Sequence, residues 1–248
     1  MMSITTEEEL RKLRACGIIV ARTLRALAKR VRPGITTAEL SELGGRMLAE
    51  QGARSSPPMV YRFPGEVCIS VNDEVVHGVP GDRVIAAGDL VKLDLTAEKD
   101  GFHTDAAITV AVPPVSESAR KLTRCVERAF AKGLEMARPG NCTREIGRAV
   151  EREARRSGFE VIRELGGHGI GRTIHEPPSV PNFADPSARA ALTPGLVLTI
   201  EPIIAAGRGR VVTSADGWTL RTVDGSLAGH FEHTLVVTDG APILLTAA

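Results

Sequence analysis

Lys92-Leu-Asp-Leu-Thr-Ala-Glu-Lys-Asp-Gly-Phe-His-Thr-Asp-Ala-Ala107 is the stretch that decides the fold. Val91, Leu93 and Leu95 alternate with Lys92, Asp94 and Thr96, the period-two pattern of a half-buried strand. From Asp105 to Val112 the pattern recurs, with Ala106, Ile108 and Val110 alternating with Asp105, Ala107 and Thr109. Between the two runs, Glu98-Lys-Asp-Gly101 carries the Asp-Gly signal of a hairpin turn. A loop centred between Lys99 and Asp100 sets Asp94 opposite Asp105, with Cβ atoms about 5 Å apart. Carboxylates so placed repel, so either one keeps a proton or a cation lies between them. On this stretch alone the alternative stays open: a register off by one or two, with both acids solvated near the turn.

Composition narrows the function. A chain of 248 residues suits one large domain or two small ones. A formal net charge of +1 gives no basic excess for nucleic acid, and 3% aromatics leave little for base stacking. No apolar run approaches the roughly 18 residues of a membrane span. Met1-Met-Ser-Ile-Thr-Thr-Glu-Glu-Glu9 is acidic and has no apolar signal core, so the compartment expected is the cytoplasm. Cys16, Cys68, Cys125 and Cys142 are scattered without CxxC spacing and read as reduced thiols.

Outside the hairpin the chain repeats itself. Thr6 and Glu9 form a capping-box pattern at the start of a helix expected to reach about Val31. Leu10, Leu13, Gly17, Val20, Leu24 and Leu27 supply its apolar face. Arg32-Pro-Gly34 breaks the chain, and Thr36 or Thr37 caps a second helix ending near Gly52. A shift of 106 residues carries Arg32, Pro33, Gly34, Thr37, Glu39, Leu40 and Gly52 onto Arg138, Pro139, Gly140, Thr143, Glu145, Ile146 and Gly158. Beyond the helices, the strand ending at Asp94 matches Pro194-Gly-Leu-Val-Leu-Thr-Ile-Glu201. An internal duplication follows, with pseudo-repeats of about 7–112 and 115–240 inside one domain spanning 1–248. Two helix-helix-strand-strand halves pair into one sheet with helices on one face, an α+β arrangement. The segment from Gly52 to Pro80 reads as strand and loop, with Pro57-Pro58 and Phe63-Pro64-Gly65 as turns. Phe231 to Val237 reads as a closing strand, with Glu232, Thr234 and Val236 on one face.

Gly166-Gly-His-Gly-Ile-Gly171 lacks the Lys-Ser/Thr of a phosphate loop, but its glycines let the backbone around His168 approach something closely. Seven residues on, His175 stands in Ile174-His-Glu-Pro-Pro178. Asp94, Asp105, His168, Glu201 and Glu232 are candidate metal ligands, with His77 and His175 beside them. One imidazole among four carboxylates suits a pair of Mn, Fe or Co ions better than structural zinc. Such a pair polarises a carbonyl and brings the pKa of water toward neutrality.

The chain resembles the methionine aminopeptidases of the type I class. Its matching segments are Val75-Val-His-Gly-Val-Pro80, Lys92-Leu-Asp-Leu95, Asp100-Gly-Phe-His-Thr-Asp105, Gly167-His-Gly-Ile-Gly-Arg172, His175-Glu-Pro-Pro178, Thr199-Ile-Glu-Pro202, Asp216-Gly-Trp-Thr219 and Glu232-His-Thr-Leu-Val-Val-Thr238. They run in order along nearly the whole chain. The resemblance implies the pita-bread fold, a pseudo-two-fold domain with a curved antiparallel sheet and helices on its outer face. It implies removal of the initiator methionine from nascent chains with a small second residue, by water activated at a dinuclear centre of Co, Mn, Fe or Zn. Asp94 would hold one ion, Asp105 and Glu232 would bridge both, and His168 and Glu201 would complete the other. Glu201 would also shuttle a proton, His175 would stabilise the tetrahedral intermediate or scissile amide, and His77 would contact substrate. Phe63, Cys68, His77 and Trp218 would line the methionine pocket. Ile174 and Val60 depart from the aromatic residues usual at their positions and leave the pocket's shape open.

The partners expected are nascent N-termini, with neither nucleic acid nor membrane, for a monomer; ribosome docking through the basic face of the first helix is compatible with this. The Xaa-Pro-cleaving relatives carry a large N-terminal domain, which a helix beginning by residue 7 leaves no room for. Type II enzymes carry an insertion between their last two ligands, for which the 31 residues from Glu201 to Glu232 are too few. A metal-free binding module of the same fold would lack a ligand, and all five are filled.

Overall fold

A computed structural model describes residues 3–247. Met1 and Met2, part of the stretch read for a leader, and Ala248 lie outside the described residues. The chain opens with helices α1 (Glu7–Ala28) and α2 (Thr37–Glu50), a two-residue strand β1 (Arg54–Ser55) and helix α3 (Ser56–Tyr61). Strands β2 (Cys68–Val71) and β3 (Glu74–Val76) lead to the long hairpin of β4 (Leu90–Lys99) and β5 (Phe102–Ala111). The second half begins with α4 (Glu117–Leu134) and α5 (Thr143–Arg156). Strands β6 (Glu160–Val161), β7 (Gly166–Gly169), β8 (Glu176–Pro181), β9 (Val197–Ile200) and β10 (Ile203–Ala205) follow. The chain finishes through β11 (Val211–Thr213), β12 (Leu220–Thr222), β13 (Ala228–His230), β14 (Glu232–Val236) and β15 (Ile243–Leu244).

The main sheet runs β1-β4-β5-β14-β9-β7-β8, with β2 also on β4 and β15 on β14. All its pairings are antiparallel. Strand parity sorts the side chains. Val91, Leu93, Leu95 and Ala97 of β4, with Ala106 of β5, pack on Val20, Leu24 and Leu27 of α1 and Leu40 and Leu48 of α2. In the second half, Leu198 and Ile200 of β9 and Leu235 of β14 pack on Leu122 and Val126 of α4 and Ile146 and Val150 of α5. Each fully buried Leu, Ile or Val of these layers contributes about 1.5–3 kcal/mol. The helices thus cover one face, and the opposite parity (Asp94, Asp105, Glu232) is left for the other.

The repeat extends to chain details. Glu39 Oε2 accepts from the Thr36 N–H at 2.7 Å and the Thr36 hydroxyl at 2.9 Å. In the same place 106 residues later, Glu145 Oε2 accepts from the Cys142 N–H at 3.1 Å and the Cys142 thiol at 2.7 Å. Gly34 and Gly140, which precede these caps, take φ of 92° and 90°. Thr36 bridges Val84 and Cys142 bridges Ala191 in the two halves.

Three expectations need correction. The hairpin register pairs Asp94 with Ala107 and Thr96 with Asp105, so the two acids are diagonal neighbours and not directly opposed. Asp100 and Gly101 are themselves the two turn residues, with φ of 52° and 83°, and this moves the loop centre one residue on. The shift of two preserves parity, so both acids stay on the same face. Pro57 and Pro58 do not make a turn but stand in the first turn of α3, where a missing N–H costs nothing. Helix α1 ends at Ala28, short of Val31. No helix among the described residues is long and apolar enough to cross a membrane.

Candidate active site

Asp94 and Thr96 of β4, Asp105 of β5, His168 of β7, Glu201 after β9, and Glu232 of β14 converge on a cavity of about 270 Å³. All five expected ligands therefore line one space. Asp105, His168 and Glu232 each offer an atom within 4.8 Å of the other two. His168 Nε2 lies 3.7 Å from Glu201 Oε2.

Threonines two positions from a carboxylate along the strands hold the site in place. The Thr96 hydroxyl donates to Asp105 Oδ2 at 2.7 Å. Thr234 accepts from the Asp105 N–H and donates to the Asp105 carbonyl, both at 2.8 Å. Thr199 accepts from the His168 N–H at 3.1 Å and donates to Glu201 Oε2 at 3.3 Å. A further bond runs from His168 Nδ1 to the Gly169 carbonyl at 2.9 Å, which leaves Nε2 toward the cavity. The glycines beside His168 are there because β7 is squeezed between its neighbours. A Cβ at Gly167 would sit 2.4 Å from the Thr199 carbonyl oxygen, and one at Gly169 would sit 2.3 Å from that of Pro177.

Burial is the first cause of every titration shift in this cluster. It raises Asp94 well above the usual carboxylate range, Asp105 to about 8, Glu201 well above its usual range and Glu232 to about 7. For Asp94, Asp105 and Glu201 neighbouring carboxylates push the same way. Burial also holds His168 down to about 3, so its imidazole is neutral and free to donate a lone pair. Cys68, paired with Asp94 across β2 and β4, has its thiol pushed up by burial and then by Asp94, and stays neutral.

A divalent cation fits this arrangement. Among the described residues, no Lys or Arg forms an ion pair with any of the four carboxylates. Asp105 Oδ1, Glu232 Oε1 and both ring nitrogens of His230 are buried with no hydrogen-bond partner, half of the eight such atoms described. Buried carboxylate oxygens and imidazole nitrogens within 4.8 Å of one another are the donor set of a divalent ion.

The cavity's apolar wall contains Phe63, Cys68, Val76, Leu165, Ile174, Ile203 and Trp218. Phe63 and Trp218 meet edge to face at 5.4 Å. The Asp216 side chain accepts from the N–H groups of Trp218 and Thr219, and the Thr219 hydroxyl accepts from Val79 N–H, tying this loop to the one carrying His77. His77 and His175 line the cavity at its solvent-exposed mouth. Their pKa values are pushed down, by desolvation first, although solvent reaches both rings. His77 holds a left-handed φ of 56°. The backbone of Gly78 lies so close to β2 that an added Cβ would come within 2.2 Å of the Ile69 carbonyl oxygen.

Several site residues escaped sequence reasoning. Val60 is exposed and not part of the cavity; its neighbour Tyr61 turns in from the end of α3 and bonds His175 Nδ1 at 2.6 Å. Ile174, by contrast, does line the pocket. Thr96 and Thr234 were legible by parity, two positions from Asp94 and Glu232. His230, fully buried at the cavity wall, carried no signal beyond being two residues before Glu232.

Known proteins resemble the chain throughout. A family model described as metallopeptidase family M24 matches residues 11–239. Methionine aminopeptidase 2 of Bacillus subtilis (strain 168) is 43% identical over 247 residues, 99% of each chain. Methionine aminopeptidase of Clostridium perfringens (strain 13 / Type A) is 42% identical, again over 99% of each. The crystal structure of a methionine aminopeptidase from Thermotoga maritima superposes with a TM-score of 0.97 at 35% identity, covering all of both chains. A prolidase from Pyrococcus furiosus shares the fold at a TM-score of 0.80 and 21% identity, with this chain covering 66% of its length.

Proposed function

Because the chain belongs to metallopeptidase family M24, we propose that it is a methionine aminopeptidase, hydrolysing the bond after an N-terminal methionine when the second residue is small. The observation that carries the reading is four carboxylates and an imidazole around one cavity with, among the described residues, no Lys or Arg paired to them. Asp94, Asp105, His168, Glu201 and Glu232 would hold two divalent ions, drawn from Co, Mn, Fe or Zn. When bound, such ions polarise the scissile carbonyl and lower the pKa of water toward neutrality.

The protein's own groups do the rest. Glu201, whose pKa burial raises, can take a proton at neutral pH and pass it to the departing amine. A Tyr61 hydroxyl donating to His175 Nδ1 fixes the tautomer with hydrogen on Nε2. That N–H is then a neutral donor for the oxygen that gains charge as the carbonyl turns tetrahedral. His77, across the mouth, contacts the substrate backbone. The thioether side chain lies between Phe63, Cys68 and Trp218, an apolar slot with no charge to pair. A cavity this small fits one side chain and the adjoining peptide, which disfavours a bulky second residue.

The same reading takes nascent N-termini as substrates, the cytoplasm as compartment, a monomer as the working form, and residues 1–248 as one catalytic unit of two repeats. Ribosome docking through the basic face of α1 is a further reading. The test is metal-free protein titrated with Mn, Fe, Co and Zn and assayed on Met-Ala-Ser and on a Leu-Pro peptide. Metal-dependent release of methionine from the first alone is expected; cleavage of the Pro peptide instead would overturn the assignment.

A further inference from the structure

We propose that His230 is a sixth donor to the metal centre, its Nε2 joining the five residues assigned above; the proposal rests on the metallopeptidase reading of the same site. His230 is 2% exposed, lines the cavity, and has no hydrogen bond to either ring nitrogen. A buried imidazole with both nitrogens unpaired is rare, because desolvation of the ring is then uncompensated.

The position of Nε2 says what would compensate it. It stands 3.4 Å from Glu232 Oε2, too far for a good hydrogen bond. Donors bound to one ion at about 2.0–2.2 Å and separated by roughly 90–110° lie about 3–3.6 Å from each other. His168 Nε2 and Glu201 Oε2, assigned to a shared ion, are separated by a comparable 3.7 Å. Glu201, His230 and Glu232 each offer an atom within 4.8 Å of the other two, the same compactness as Asp105, His168 and Glu232. Glu232 therefore has an imidazole within ligand distance in both groups. The backbone explains how the second one arrives. His230 pairs with Ile203 across β13 and β10, two residues beyond Glu201, so it comes to the cavity from a different sheet than the one that holds His168 in β7.

A second imidazole changes the centre's chemistry. Nitrogen donors favour Fe, Co and Zn, whereas carboxylate and water favour Mn. The site of this chain should then discriminate against Mn more strongly than a one-imidazole site.

The test is metal-free protein titrated with Co(II) in the absence of oxygen, followed by calorimetry and visible absorption, for wild type, His230→Gln and His168→Gln. Circular dichroism of the metal-free forms controls for folding. His230→Gln should weaken Co(II) binding about ten- to a hundredfold, alter the Co(II) spectrum and narrow the preference for Co over Mn. If His230→Gln binds and absorbs like wild type while His168→Gln does not, His230 is no ligand and the metallopeptidase reading survives. If neither variant changes binding, the ligand set itself fails, and this proposal with it. Wild-type protein with 15N-labelled histidine, titrated with Zn(II), needs no variant. Two imidazole nitrogens should move to metal-bound shifts, and only one moving would overturn the assignment.

Discussion

Asp105→Asn should make the metal-free protein more stable while it destroys the enzyme. Asp105 is 6% exposed, and burial beside Glu232 raises its pKa from 3.8 to about 8. At pH 7.5 the unfolded chain carries this carboxylate ionised, whereas the folded one must protonate it. The cost is about 1.4 kcal/mol per pH unit over the interval from 3.8 to 7.5, roughly 5 kcal/mol. Asparagine is neutral throughout, keeps an oxygen for the Thr96 hydroxyl and turns an amide N–H toward the other carboxylates. Burying that amide takes back part of the gain, which leaves about 2–3 kcal/mol and a rise in melting temperature of about 4–12 °C for a chain of this size. The sign of the pH dependence follows from a folded pKa above the unfolded one. The wild type has its full stability below pH 4 and loses it as pH climbs toward 8, so the difference between the two proteins opens with rising pH and closes in acid. Scanning calorimetry with chelator at pH 4, 6 and 7.5 measures it. Saturating Co(II) or Mn(II) should reverse the order, because the wild type alone gains the binding energy. A metal-free Asp105→Asn protein that melts at or below wild type at pH 7.5 would refute the claim that these acids strain the fold until a cation arrives.

Other consequences are smaller. Thr96→Val keeps the shape but leaves Asp105 Oδ2 without its donor, and should weaken metal binding about tenfold or more in chelator competition; unchanged affinity would mean that the hydroxyl does not orient the carboxylate. Tyr61→Phe removes the partner of His175 Nδ1 and should lower kcat by about two- to tenfold with KM little changed, and a shift confined to KM would instead make Tyr61 a binding residue. Gly169→Ala drives a methyl toward the Pro177 carbonyl and should cost at least about 2 kcal/mol in urea unfolding; a cost under about 0.5 kcal/mol would show that β7 and β8 can part freely.

Much of this molecule was legible without coordinates because its signals are local or periodic. The Asp-Gly turn, the capping threonine (Thr36 or Thr37), and the alternation in β4 and β5 each act within a few residues. The repeat offset of 106 then tied the halves together. Register failed by two because the turn was centred between Lys99 and Asp100 and lies one residue on, and parity kept the functional conclusion intact despite it. Helix α3 was hidden since a Pro-Pro pair serves a first helical turn as well as a loop. Missing that helix cost Tyr61, which reaches His175 from 114 residues away in sequence. His230 was invisible for another reason. Its meaning lies in having no partner, and only packing in three dimensions reveals that.

The placement of β14 between β5 and β9 has a consequence for biosynthesis. The strand that joins the halves is among the last to be translated, and it also carries Glu232 into the cavity. A chain cut short upstream of it leaves two hydrophobic ribbons with bare amides along facing margins, each able to recruit strands from other molecules. Premature termination just before Glu232 should thus yield insoluble polypeptide, not a partly active hydrolase, and the cell is spared a half-built protease.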